Sequence, residues 1–247
     1  MKRRNKSPIT KTGFLIVLLI CTQSGLRAQV VHNKGPLLYE NPLSSQKDIK
    51  GWRMEGPGKT TFKKGWMHMF SPNEEGHHVL WCNEDFSDSF IAEWEVQNIE
   101  TDAGLVIVFF SAKGIHGEDI FDTSLKKRNG IFRTYTKSDI NSYHISYYAN
   151  GKDNRARVIS HLRKNMGFHL VQNGEDGIPA ASKSIHKIVL IKDQGHISMY
   201  VDSRKIIDWT DDGKTYGSVL QEGKIGFRQM QWTHFRYRNF KVYALEH

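Results

Sequence analysis

Short runs of β-forming residues recur along this chain, and they limit its fold more than any other feature. Among them are "FIAEWEVQ" (90–97), "GLVIVFFSA" (104–112), "YHISYY" (143–148), "IHKIVLIK" (185–192), "HISMYVD" (196–202) and "HFRYRNFKVY" (234–243), with Gly, Asn and Asp frequent between them. Several alternate apolar with polar side chains, the period of a strand with one face buried. Helical periodicity is hard to find. Many short strands with turn signals between them read as an all-β chain, an antiparallel sandwich or barrel. The tail has hairpin grammar: "KDQG" (192–195) leads into "HISMYVD", and "DSRK" (202–205) leads from there into "IIDWT". Within 196–202, Ile197, Met199 and Val201 share the face that would meet a partner sheet. No Pro interrupts these strands, so they can be central ones.

Residues 1–28 read as a secretory leader. A basic stretch without acids precedes the apolar run "GFLIVLLIC", and Ala28 is a small residue before a cut near Gln29. The run is too short to span a bilayer, so the expected product is exported, periplasmic or secreted, without a stable membrane anchor. Cys21 follows "LLI" rather than a small residue, which argues against a lipoprotein. The chain has 35 Lys and Arg against 26 Asp and Glu, a net of +9; six of the basic residues and none of the acidic ones lie in the leader, which leaves +3. So small an excess gives no ground for expecting nucleic acid as a partner. Only Cys82 lies outside the leader, so neither an intramolecular disulfide nor a cysteine metal cluster is expected. Residues 29–247 are long enough to bury one core, and no linker divides them, so they read as a single domain.

The stretch "NSYHISYYAN" (141–150) mixes aromatic with ionisable side chains. As a strand it puts Tyr143, Ile145 and Tyr147 on one face and His144, Ser146 and Tyr148 on the other. Side chains two apart on one face are separated by roughly 7 Å, a spacing that suits a sugar ring. Histidine is the side chain best poised for proton transfer near neutral pH. The plain alternative is a solvated strand face. Two long loops are expected, 113–129 and 149–166; the second is basic, with Arg155, Arg157, Arg163 and Lys164. On the strand 225–231, Ile225 and Phe227 would face the core and Arg228 the other way. Arginine pairs bidentately with carboxylates, so Arg228 and Arg163 are the preferred partners for an acidic group.

The tail "GKIGFRQMQWTHFRYRNFKVY" pairs a Gly-x-Ile-Gly-Phe strand with an Arg-Asn-Phe-x-Val strand, like the end of a concanavalin A-like jelly roll. With "DFSDSFIAEWEVQ", "GEDIFD", "NSYHISYYAN", "LRKNMGFHLV" and "IIDWTDDGKTYG", the chain resembles the domain-of-unknown-function 1961 family from about residue 38 to the C-terminus. One departure is Met166 in "LRKNMGF", where the family would have Pro. The resemblance implies a β-sandwich from bacteria that process plant or algal polysaccharides, often uronate-containing ones such as ulvan or rhamnogalacturonan. It leaves the reaction open.

An acidic oligosaccharide is therefore the expected partner, and elimination, by a lyase or dehydratase, the expected chemistry. The proton alpha to a uronate carboxylate is weakly acidic, and a paired cation stabilises the charge that develops when it leaves. His144 and Tyr148 are the expected proton-transfer pair. Arg228, Arg163, Lys164, Ser146, Trp232, His234 and Asp119 are the expected substrate-binding residues. No organic cofactor is needed. Two alternatives stay open: a glycoside hydrolase using Glu93 and Glu95 or the acids of 118–122, and a sugar-binding protein without catalysis. "GEDIFD" lacks the ligand spacing of a calcium loop, and no zinc signature is present, so no metal is expected.

Overall fold

The computed structural model describes residues 33–246 except 101 and 154; the expected leader lies outside the described residues. In chain order the strands are β1 (Lys34–Asn41), β2 (Arg53–Glu55), β3 (Lys59–Lys63), β4 (Trp66–Phe70), β5 (His78–Phe86), β6 (Ser89–Asn98) and β7 (Gly104–Gly114). A four-residue helix, α1 (Arg133–Thr136), precedes β8 (Ile140–Asn150), β9 (His161–Asn165) and β10 (His169–Asn173). The rest are β11 (His186–Asp193), β12 (His196–Val201), β13 (Arg204–Thr210), β14 (Gly223–Gln229) and β15 (Phe235–Leu245). They form two antiparallel sheets, as expected for a jelly-roll sandwich. One is eight-stranded, ordered β13-β12-β11-β6-β15-β4-β3 with β1 also on β15; the other is seven-stranded, ordered β10-β9-β8-β7-β14-β5-β2.

Alternation sets the register. The inner faces of both sheets meet in a core that includes Leu80, Trp94, Val108, Tyr143, Ile145, Ile188, Met199, Phe227 and Val242. Each large apolar side chain taken fully out of water contributes about 1.5–3 kcal/mol, so a one-residue slip in any central strand is costly. The tail hairpin turns where expected: Val201 pairs Arg204, and the two turn residues Asp202 and Ser203 both have positive φ, 50° and 69°. Such turns match the twist of the flanking strands.

Two expectations fail locally. The expected loop 149–166 ends in a strand: β9 pairs with β8, and Leu162 enters the core between charged neighbours. Its alternation is masked in sequence because an inward position, Lys164, is as basic as the outward His161 and Arg163. The expected loop 113–129 begins as the end of β7, and the chain from 115 to 139 then crosses the outer face of the seven-stranded sheet. There Ile120, Phe121, Leu125, Phe132 and Tyr135 pack on Val79, Trp81, Ile107 and Phe109. Glu55 staples this cover, accepting from Trp81 Nε1 at 2.9 Å and from Arg128 Nη2 at 2.8 Å. Trp81 fits because Gly226 lies beside it; a Cβ there would sit 2.3 Å from the indole.

Candidate functional site

The outer face of the seven-stranded sheet gathers a cluster of arginine and histidine side chains. Register places Arg228 of β14 beside Ile107 of β7, Ile107 beside Ser146 of β8, and Ser146 beside His161 of β9. The next row runs from Gly226 through Phe109 and His144 to Arg163. Neighbouring strands are about 4.8 Å apart, so these side chains line one strip. Arg157, from the segment before β9, reaches in: its Nη2 donates to Ser146 Oγ at 2.6 Å, and its Nη1 lies 3.0 Å from His161 Nδ1. Arg163 donates to the Phe168 carbonyl at 2.9 Å and lies over the Phe168 ring.

His144 and Arg228 form the floor, each 2 % exposed. Arg157, His161, Arg163, Phe132 and Phe168 are half-buried around them. The Arg228 guanidinium lies 4.5 Å from the Phe132 ring, and its Nε and Nη1 are buried without a hydrogen-bond partner. Burial lowers its pKa to about 10. Among the described residues, no carboxylate forms an ion pair with Arg157, Arg163 or Arg228. A buried unpaired cation with orphaned donors is costly in a folded protein and marks a place where an anion fits.

The uncompensated charge acts on the imidazoles. Burial first, then Arg163, Arg228, His161 and Arg157, holds the His144 pKa well below the ordinary imidazole value. His161 is pushed down to about 4 by burial, Arg157 and Arg163. His144 is therefore neutral at physiological pH and able to accept a proton. The Asn165 amide nitrogen lies 2.8 Å from its Nδ1, so Nε2 carries the proton in this arrangement. With the amide turned over, Oδ1 would accept from Nδ1–H and leave Nε2 as a base.

The strip thus unites His144, Ser146, Arg163 and Arg228 of the expected residues. Trp232 borders it: its ring meets the His77 ring edge-on at 6.2 Å, and His77 is itself perturbed by burial and by Arg228. Tyr148 does not join them. Val106 pairs Tyr148 while Ile107 pairs Ser146, so Tyr147 is the extra residue of a bulge. Both tyrosines consequently turn into the core, and Tyr148 Oη bonds with Asn98 and with the carbonyls of Asp102 and Ala180. Lys164 also points inward, to Asp211 at 2.6 Å and the carbonyls of Gly217 and Ser218. Asp119 pairs with Lys224 at 2.9 Å and caps the Phe121 amide, which fixes the cover. His234 lies beside His68 and Glu100 on the eight-stranded sheet. Glu93 and Glu95 lie on that sheet too, ion-paired with Lys34 and Lys187 and with Arg238 respectively.

Sequence reasoning missed His161 as a site residue. Its signal was period-two spacing from Arg163, hidden within an expected loop. The cover residue Phe132 carried no signal that could have identified it.

Residues 36–242 match the family described as Domain of unknown function (DUF1961). Over 216 residues the chain is 43% identical to "Uncharacterized protein YesU" of Bacillus subtilis (strain 168), covering 86% of this chain and 98% of that protein. A crystal structure of a protein of unknown function with galectin-like fold, also from Bacillus subtilis, superposes with a TM-score of 0.83 at 42% identity, covering 88% of this chain and all (100%) of that one. The Ca2+/Man3GlcNAc-bound exoplasmic/lumenal domain of VIP36 superposes with a TM-score of 0.58 at 11% identity, covering 86% and 91% of the two chains, a likeness of fold alone.

Proposed function

The chain belongs to the DUF1961 family, and we propose that it is an exported carbohydrate-active protein that takes uronate-containing oligosaccharides on the outer face of its seven-stranded sheet and acts on them by elimination. One observation carries this reading: three guanidiniums without a carboxylate partner surround a neutral, buried His144. A sugar carboxylate would satisfy the orphaned donors of Arg228 and pair with Arg163 or Arg157. The jelly-roll fold, which the sugar-bound VIP36 domain shares, supports a carbohydrate ligand; the basic and apolar pattern of residues 1–28 supports export.

The chemistry follows from the charges. Burial is the first cause of the lowered His144 pKa and the arginine field adds to it; carboxylate binding offsets the field, so the imidazole gains basicity when substrate is present. With the Asn165 amide turned over so that Nδ1 carries the proton, His144 Nε2 removes the proton alpha to the carboxylate, and the arginines stabilise the enolate-like charge that develops. Collapse of that charge forms the C=C bond and breaks the C–O bond beta to the carboxylate. The proton returns to the leaving oxygen from His144 or through His161, so elimination needs no added water. Hydrolysis has less support, because Glu93 and Glu95 are ion-paired on the opposite sheet, and Glu118, Asp119 and Asp122 are engaged within the cover by His116 N, by Lys224 and Phe121 N, and by Ser124 N. Binding without catalysis would use the same strip.

A panel of uronate oligosaccharides, incubated with the protein, separates these readings. Elimination yields ultraviolet absorbance from an unsaturated uronate, with either loss of one water from the sugar or two fragments without added water. Fragments carrying an added water would mean hydrolysis. Binding with no mass change would leave recognition alone, and neutral sugars bound as tightly as acidic ones would overturn the carboxylate site.

A further inference from the structure

On the eight-stranded sheet, three segments far apart in sequence bring metal-ligating atoms together. His68 lies on β4, Glu100 follows the end of β6, and His234 immediately precedes β15. His68 Nε2 is 3.3 Å from His234 Nδ1, and His234 Nδ1 is 3.2 Å from Glu100 Oε2. All three ligand atoms lie within 4.8 Å of one another. Four-coordinate zinc, with bonds of about 2.0–2.1 Å, has ligand-to-ligand edges of about 3.3–3.4 Å. Two edges fit as they stand. The third needs only a small turn of Glu100, whose side chain is 54% exposed.

We propose that His68, Glu100 and His234 bind one zinc-type divalent cation, with water in the fourth position. Two imidazoles and a carboxylate are a recurrent donor set for such ions. The protein alone satisfies the group poorly. A proton on His234 Nδ1 serves Glu100 or His68 but not both, and a proton on His68 Nε2 serves His234 and leaves the Glu100 carboxylate facing a lone pair. A cation serves all three atoms at once. The surroundings hold the donors in place: Ile99 N donates to the His234 carbonyl at 3.1 Å, and Phe70 stacks on His68 at 4.7 Å and on His234 at 6.0 Å. Of the nearby cations, Arg236 is engaged by Gln97 at 2.8 Å and Lys183 by Asp102 at 2.8 Å. The ion would tie β4, the end of β6 and the start of β15 together.

Zinc chloride titrated calorimetrically into chelator-treated protein tests this. One equivalent is expected to bind and to raise the thermal midpoint. Glu100→Gln is expected to weaken binding at least tenfold and His234→Ala to remove it, while His116→Ala leaves it unchanged. Cobalt(II) in place of zinc is expected to give the intense visible bands of a four-coordinate site. Should His234→Ala not fold, Glu100→Ala, at an exposed side chain, decides the matter. Absence of a one-equivalent site, or binding that survives Glu100→Ala, overturns the proposal.

Discussion

Replacing Arg228 with Met should move stability and binding in opposite directions. Arg228 is 2 % exposed, two of its nitrogens lack partners, and its charge is not matched by a carboxylate. Lowering of its pKa from 12.5 to about 10 by burial corresponds to about 3 kcal/mol of differential cost for the charged form. Methionine fills similar volume without charge or donors, so the ligand-free protein should gain about 1–3 kcal/mol. An acidic ligand reverses the sign. Removing one partner of a buried charged pair costs about 2–5 kcal/mol, which weakens binding by roughly 30-fold to several thousandfold.

Urea unfolding without ligand measures the first effect, because a higher midpoint at unchanged slope reports stability alone. Calorimetric titration with a uronate oligosaccharide and its neutral counterpart measures the second. Loss should fall on the acidic ligand and spare the neutral one. A destabilised Arg228→Met protein that still binds the uronate normally would refute the reasoning, because it would make Arg228 a structural group with partners in the folded state.

Three further outcomes follow from the same contacts. Tyr148→Phe should lower unfolding free energy by about 1 kcal/mol through lost hydrogen bonds and leave turnover unchanged, whereas His144→Gln should cut turnover by roughly 10²–10⁴ with stability preserved; steady-state kinetics beside urea unfolding separates the two. Lys164→Ala should cost about 3–5 kcal/mol in urea unfolding, since it strands the Asp211 carboxylate in a buried pair. Acid should destabilise the fold early. His78 is pushed down to about 4, chiefly by burial, so the unfolded chain binds the extra proton first; stability is full above pH 6.5 and falls by up to about 3 kcal/mol as pH drops through 4. Urea midpoints across that range should decline, and the decline should be shallower in His78→Gln.

The fold was legible in the sequence because strand alternation is a local signal and each core face repeats it. Ile197, Met199 and Val201 read correctly, as did Phe227 inward and Arg228 outward. The site was only half legible, and one bulge explains much of the difference. Strict alternation puts His144, Ser146 and Tyr148 on one face; the extra residue at Tyr147 turns Tyr148 into the core and leaves His144 without its expected phenolic partner. A bulge of this kind has no residue signature when the extra position is aromatic rather than glycine. Charge also disguises a strand as a loop. In "HLRKN" the outward basic residues belong to a strand, and that strand brings His161 and Arg163 beside His144. Nor could spacing reveal that 115–139 folds back over the strip, since its contacts with Trp81 and Phe109 are long-range. This cover changes the chemistry most. On an open strand face Arg228 would be a solvated cation of ordinary affinity; beneath Phe132 and Tyr135 its donors are withheld from water, and a carboxylate that reaches it meets a desolvated partner. The same cover shields His144, so the binding charge and the basicity of the imidazole are coupled through one enclosed strip.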